Sequence, residues 1–212
     1  MVRVAAAMTV AAGVMSVPIA SADECPDVAV IFARGTGEPP GVGKVGQAFV
    51  ENLIPRLNGR TIETFAVNYP ASFDFLEAAD GAEAAAEQVV AVASRCPNAR
   101  IVLGGYSQGA AVIDMLARVH PLGGVIGDLG SAPPLAAPFA DAIAAVAVFG
   151  NPATKFGAPL SQTGEFAGKA IDLCSAEDPI CSPDGDNMEA HSDYVLEPYP
   201  DDSAGFVAER LG

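Results

Sequence analysis

Positive charge is the scarcest property of this chain. Among 212 residues there are 11 Lys and Arg against 26 Asp and Glu, a formal net charge of −15. From Ala170 to Glu209 there is no Lys or Arg at all. A surface of this sign repels phosphate backbones and anionic headgroups, which excludes nucleic acid as a partner. Charged residues of both signs amount to only 17%, and half the chain is hydrophobic, which excludes wholesale disorder. Histidine is also rare, with only His120 and His191. They stand in unrelated contexts, and no Cys-x-x-Cys pair accompanies them, so a zinc site has little support.

Long hydrophobic runs are confined to one place. Met1–Ala22 carries Arg3, an apolar run from Val4 to Ala20, and Ala20-Ser21-Ala22. That order of charge, apolar run and small residues marks an export signal cleaved before Asp23. The run is short and weakly apolar for a bilayer span, and no later stretch is long enough. Residues 23–212 are then one domain. The four cysteines, Cys25, Cys96, Cys174 and Cys181, suggest two disulfides in an exported protein. Three pairings are possible. Cys174 and Cys181 are close in sequence with Pro179 between them, so a local loop closes easily; that leaves Cys25–Cys96.

Short apolar β runs alternate with helical patterns. Strands are expected at Val28–Ala33, Thr61–Val67, Arg100–Gly105, Ala145–Gly150 and Lys169–Leu173. Helices are expected at Val45–Leu57, Glu77–Arg95, Gln108–Val119 and Ala204–Leu211. Such alternation implies an α/β fold, a mostly parallel sheet covered on both faces, with ligands bound beyond the carboxyl ends of the strands.

Gly105-Tyr106-Ser107-Gln108-Gly109 reads G-x-S-x-G, entered from a strand and left by a helix. That context makes a nucleophile elbow rather than a Gly-rich turn with an incidental Ser. A serine hydroxyl needs a base. His120 ends the helix that starts at Ser107, about three turns or roughly 18 Å away, and is expected to cap it. His191, in a polar loop after the last strand, is the base. The acid is Asp178, which sits between Cys174 and Cys181 where a disulfide would pin it; Asp172, Glu177 and Asp184 compete. The Gln108 N–H is one oxyanion donor and the Thr36 N–H, in the loop after the first strand, is the second. Gly41-Val42-Gly43-Lys44-Val45-Gly46 matches G-x-G-x-x-G, the basis of a rival oxidoreductase reading. Pro39 and Pro40 separate it from the strand, which counts against a dinucleotide site.

These segments together resemble the cutinase family, especially its bacterial branch. Phe32-Ala33-Arg34-Gly35-Thr36-Gly37-Glu38 is similar to the family's oxyanion loop, Gly104–Gly109 to its nucleophile segment, Cys174–Cys181 to its acid loop and His191-Ser192-Asp193-Tyr194 to its histidine segment. The resemblance implies an α/β-hydrolase three-layer sandwich with a five-stranded parallel sheet, no large lid, and the disulfides Cys25–Cys96 and Cys174–Cys181. It implies a serine esterase acting on lipid or polyester esters without cofactor or metal; the protein is expected to be a secreted monomer, extracellular or wall-associated. A non-catalytic secreted binding protein on the same scaffold is the alternative. Phe73, Phe75 and Leu76, or the Pro121–Pro138 stretch, are candidates to line an acyl groove. Because His191 must be neutral to take a proton, activity is expected at neutral or mildly alkaline pH.

Overall fold

The computed structural model describes residues 25–123 and 129–212. The expected export signal lies outside the described residues, as do residues 124–128 of the Pro-rich stretch. Five strands, β1 (Val28–Ala33), β2 (Ile62–Ala66), β3 (Arg100–Tyr106), β4 (Ile143–Phe149) and β5 (Ala170–Leu173), form one parallel sheet in the order β2-β1-β3-β4-β5. Strand order reverses between β1 and β3, so a crevice opens where their carboxyl ends diverge.

The period of two along each strand divides the core. Ala29, Ile31 and Ala33 of β1 join Leu103, Val146 and Val148 on one face, against α2 (Ala78–Arg95) and α3 (Gln108–Leu116). Val28, Val30 and Phe32 join Val102, Ala147 and Phe149 on the other, against α1 (Gly43–Leu53) and α6 (Tyr199–Leu211). Every residue of β1 is buried, as both-sided coverage requires. The helix α2 packs closely because alanines face the sheet: Ala78, Ala82 and Ala85 are fully buried.

Several boundaries differ from expectation for local reasons. The first helix ends at Leu53 and tightens into a 3-10 turn over Ile54–Leu57, where Pro55 withholds an N–H. The third ends at Leu116, not Val119. The Leu116 and Ala117 carbonyls are taken by the backbone N–H groups of Leu135 and Glu165, so capping does not fall to His120. The fourth strand starts earlier, at Ile143, directly after an unexpected short helix, α4 (Ala137–Ala142). The final helix starts at Tyr199, with Pro200 in its first turn. Cys25–Cys96 ties the segment before β1 to the end of α2, and Cys174–Cys181 closes a loop beyond β5.

Candidate active site

Ser107 stands between β3 and α3 with φ 55° and ψ −117°, a conformation that costs a non-glycine residue about 1–3 kcal/mol. The turn leaves no room on either flank: a Cβ at Gly105 would lie 2.2 Å from the Gly109 carbonyl oxygen, and one at Gly109 would lie 2.0 Å from that of Ala33. Steric necessity therefore explains both glycines of the motif. The Ser107 N–H donates to the Phe149 carbonyl at 2.9 Å, which locks the turn to the end of β4.

The Ser107 hydroxyl lies 2.9 Å from His191 Nε2, and His191 Nδ1 lies 2.8 Å from Asp178 Oδ2. A carboxylate only accepts, so the imidazole proton sits on Nδ1 and Nε2 accepts from the serine. His191 is on a 3-10 turn, Ala190–Val195, and its carbonyl accepts from Tyr106 OH at 2.6 Å. Gly150, at the end of β4, makes room for the ring: its φ is 56° and a Cβ there would meet His191 Cε1 at 2.8 Å.

Asp178 is fully buried. Burial raises its pKa, but hydrogen bonds from His191, Tyr194 and the Ile180 N–H outweigh that and hold the carboxyl below its ordinary value. Tyr194 is the contributor that sequence reasoning missed. Its hydroxyl donates to Asp178 Oδ2 at 2.5 Å and accepts from the Ser175 N–H at 3.1 Å. Burial and then the adjacent carboxylate push the phenol far above its usual pKa, so it remains a donor. The signal was the i, i+3 spacing from His191, which places both residues on one face of a tight helical turn.

Two of the competing acids have other partners. Asp172 accepts from the Leu160 and Ser161 N–H groups at 3.1 and 2.8 Å, fixing the loop before β5. Glu177 is exposed and contacts Asn187. His120 is exposed and lies outside the cleft that holds Ser107.

On the opposite side, Thr36 Oγ1 donates to Gln108 Oε1 at 3.2 Å, linking the loop after β1 to the start of α3. Two further residues brace that loop. Buried Arg34 donates to the carbonyls of Glu38, Tyr69 and Pro70. The Glu38 carboxylate accepts from the Gly35 and Lys44 N–H groups at 2.7 and 2.8 Å. It thereby fills the glycine-rich turn: a Cβ on Gly43 would lie 2.2 Å from Glu38 Oε2. The G-x-G-x-x-G segment is thus stoppered by the chain's own carboxylate at a helix N-terminus, which argues against the dinucleotide reading.

A cleft of about 510 Å³ opens over Ser107 and His191. Phe73, Phe75 and Leu129 line it, with Leu122, Phe156, Ile180 and Met188. Both stretches proposed for the groove therefore contribute, although Leu76 is not among the lining residues. Phe73 is 79% exposed and Met188 59%, so the mouth is apolar and open to solvent. Behind the cleft, α5 (Pro152–Lys155) is held by Asn151, whose amide donates to Asp114 Oδ1 at 3.0 Å. Asp114 is fully buried on α3, and burial drives its pKa well above the ordinary value, against the opposing Asn151 bond. Among the described residues no cluster of His, Cys, Asp or Glu is arranged to hold a metal, and no helix is long and apolar enough to cross a membrane.

Comparison with known proteins follows the same lines. A family model described as Cutinase matches residues 24–211. A Mycobacterium tuberculosis protein named probable carboxylesterase Culp3 is 49% identical over 209 residues, 98% of this chain and 78% of its own length. The phospholipase Culp4 of that organism is 51% identical over 195 residues, 92% and 82% of the two chains. The solved structure of Trichoderma reesei cutinase with a phosphonate inhibitor superposes with a TM-score of 0.70 at 33% identity, covering 89% of this chain and 78% of that one.

Proposed function

The chain belongs to the cutinase family and is a serine ester hydrolase, and from that premise we propose that Ser107 is its nucleophile, His191 its base and Asp178 the acid that orients the base. The observation that carries this assignment is the unbroken path of hydrogen bonds, 2.9 Å from Ser107 to His191 and 2.8 Å from His191 to Asp178. Ser107 attacks the ester carbonyl as its proton passes to Nε2. Charge that develops on the imidazole is balanced by the buried Asp178 carboxylate. The oxyanion is received by the N–H groups of Gln108 and Thr36; a single such donor is worth roughly 3 kcal/mol of barrier. His191 then protonates the leaving alcohol. Water, deprotonated in the same way, releases the acid from Ser107.

The substrates we propose are lipid or polyester esters. An apolar cleft with an exposed aromatic rim suits an acyl chain better than a sugar or peptide, whose polar groups would be left unpaired there. The lipid named for the phospholipase relative falls in this class. Export is part of the proposal, supported by the Met1–Ala22 pattern and the two disulfides, and so is action as a monomer. The test is hydrolysis of p-nitrophenyl esters from acetate to palmitate by oxidised protein and by Ser107→Ala. Turnover in the parent and none in the variant supports the assignment; equal turnover in both overturns it.

A further inference from the structure

The cleft reverses the charge balance of the chain. No Asp or Glu is among its described lining residues, and one Lys is, Lys155 at the end of α5. The chain around it holds 26 acids and 11 bases. Lys155 Nζ donates to the Pro179 carbonyl at 2.6 Å, one residue beyond Asp178. An ammonium has three N–H groups, so this bond fixes the side chain and leaves two. Arg56, Arg95 and Arg118 are paired with Asp201, Glu63 and Glu165. Lys155 has no such carboxylate partner among the described residues.

We infer that Lys155 recognises an anionic group, phosphate or carboxylate, carried by the ester on the arm that lies along the α5 and acid-loop wall. The inference rests on the ester-hydrolase site proposed above and names a class within its substrates. Pro152, Phe156, Pro179 and Ile180 make that wall apolar, and an ion pair is stronger there than at an open surface. A neutral ester of equal length gains nothing from the ammonium. The net negative charge opposes docking on an anionic bilayer, but salt screens it beyond about 8 Å, so the fit is to single anionic molecules.

The experiment compares oxidised parent, Lys155→Met and Lys155→Arg on two matched substrate pairs below their micellar concentrations. One pair is the 4-nitrophenyl monoester of adipic acid and its neutral methyl ester, with the charge on the acyl arm. The other is dihexanoyl phosphatidic acid and dihexanoylglycerol, with the charge on the alcohol arm. The parent is expected to prefer the anionic member of one pair by kcat/KM. Lys155→Met should lower that ratio about tenfold, and Lys155→Arg should keep it within about threefold. The pair that responds identifies the arm. No preference in the parent, or an equal loss on both members in Lys155→Met, overturns the inference; the second result would make Lys155 a strut for the acid loop. Failure of the underlying assignment looks different: neutral members would also go unhydrolysed, by parent and variants alike, and the inference would fall with it.

Discussion

Ser107 and His191 meet across 2.9 Å, yet the chain builds their surroundings by different means. The serine side is carried by one short segment, the junction of β3 and α3, wedged against the neighbouring strands. Gly105 and Gly109 are small because the Gly109 and Ala33 carbonyls leave no room, and the Ser107 N–H is held by Phe149. The histidine side is assembled from distant pieces: a disulfide between Cys174 and Cys181, Tyr194 bonded to the carboxylate, and Gly150, just past the end of β4, against the ring. Steric constraint suffices to aim a hydroxyl at the end of a strand. A base that must change charge needs a carboxylate held in place by several donors.

The largest effects should come from cutting the path on either side of that junction. Ser107→Ala is expected to lower kcat/KM on p-nitrophenyl butyrate by on the order of 10⁶-fold and Asp178→Asn by on the order of 10⁴-fold, with the fold kept by circular dichroism. A loss below about 100-fold for Asp178→Asn would mean that the histidine side is oriented without it. Next come the disulfides. Opening Cys25–Cys96 to alanines removes a cross-link spanning 71 residues and should cost about 4 kcal/mol in urea unfolding, with kcat changed less than about threefold where the variant is folded. Opening Cys174–Cys181, which spans 7, should cost about 2–3 kcal/mol but lower kcat far more. Activity losses in proportion to stability would erase the distinction between the two halves.

Tyr194→Phe should be milder, about a tenfold loss in kcat, because one hydrogen bond to a charged group goes. Its pH dependence is the sharper readout. The folded Asp178 carboxyl titrates below its ordinary 3.8, so its contribution to stability is present above that value and lost as pH falls through the folded pKa. Without the Tyr194 donor the folded pKa rises, and the acid-unfolding midpoint should move up with it. The smallest effect concerns Asp114, whose shift has the opposite sign. Its stability contribution is greatest below pH 3.8 and declines as pH rises toward the higher folded value. Asp114→Asn does not titrate, so its thermal midpoint should exceed the parent's by a few degrees at pH 7 and approach it near pH 4.

Legibility in the sequence follows the same division. The five strands and four main helices could be read because apolar periodicity is a local property, and Ser107 because its motif sits at a strand–helix junction. The short helices at Ala137 and Pro152 escaped because they carry too few turns to show a period. Asp178 and His191 were reached through chain order and cysteine spacing. Tyr194, Arg34 and Gly150 were not, since each acts on residues that only the folded chain brings near; Glu38 has near neighbours, Gly35 and Lys44, but acts through a turn that leaves no periodic signal. The expected capping by His120 went wrong for the same reason: Leu135 and Glu165, distant in sequence, reach that helix end first.

The parallel sheet has one more consequence, for engineering. Arg60 and Arg100, beside the starts of β2 and β3, donate to the carbonyls of Leu211 and Arg210 at 3.1 Å. The end of α6 is thereby pinned to the amino edge of the sheet, while the cleft lies beyond the carboxyl edge, roughly 20 Å away along the seven residues of β3. A carrier joined after Gly212 leaves the cleft unobstructed. Immobilised by that point, the molecule presents its aromatic rim outward, the orientation that a catalyst for an insoluble film requires.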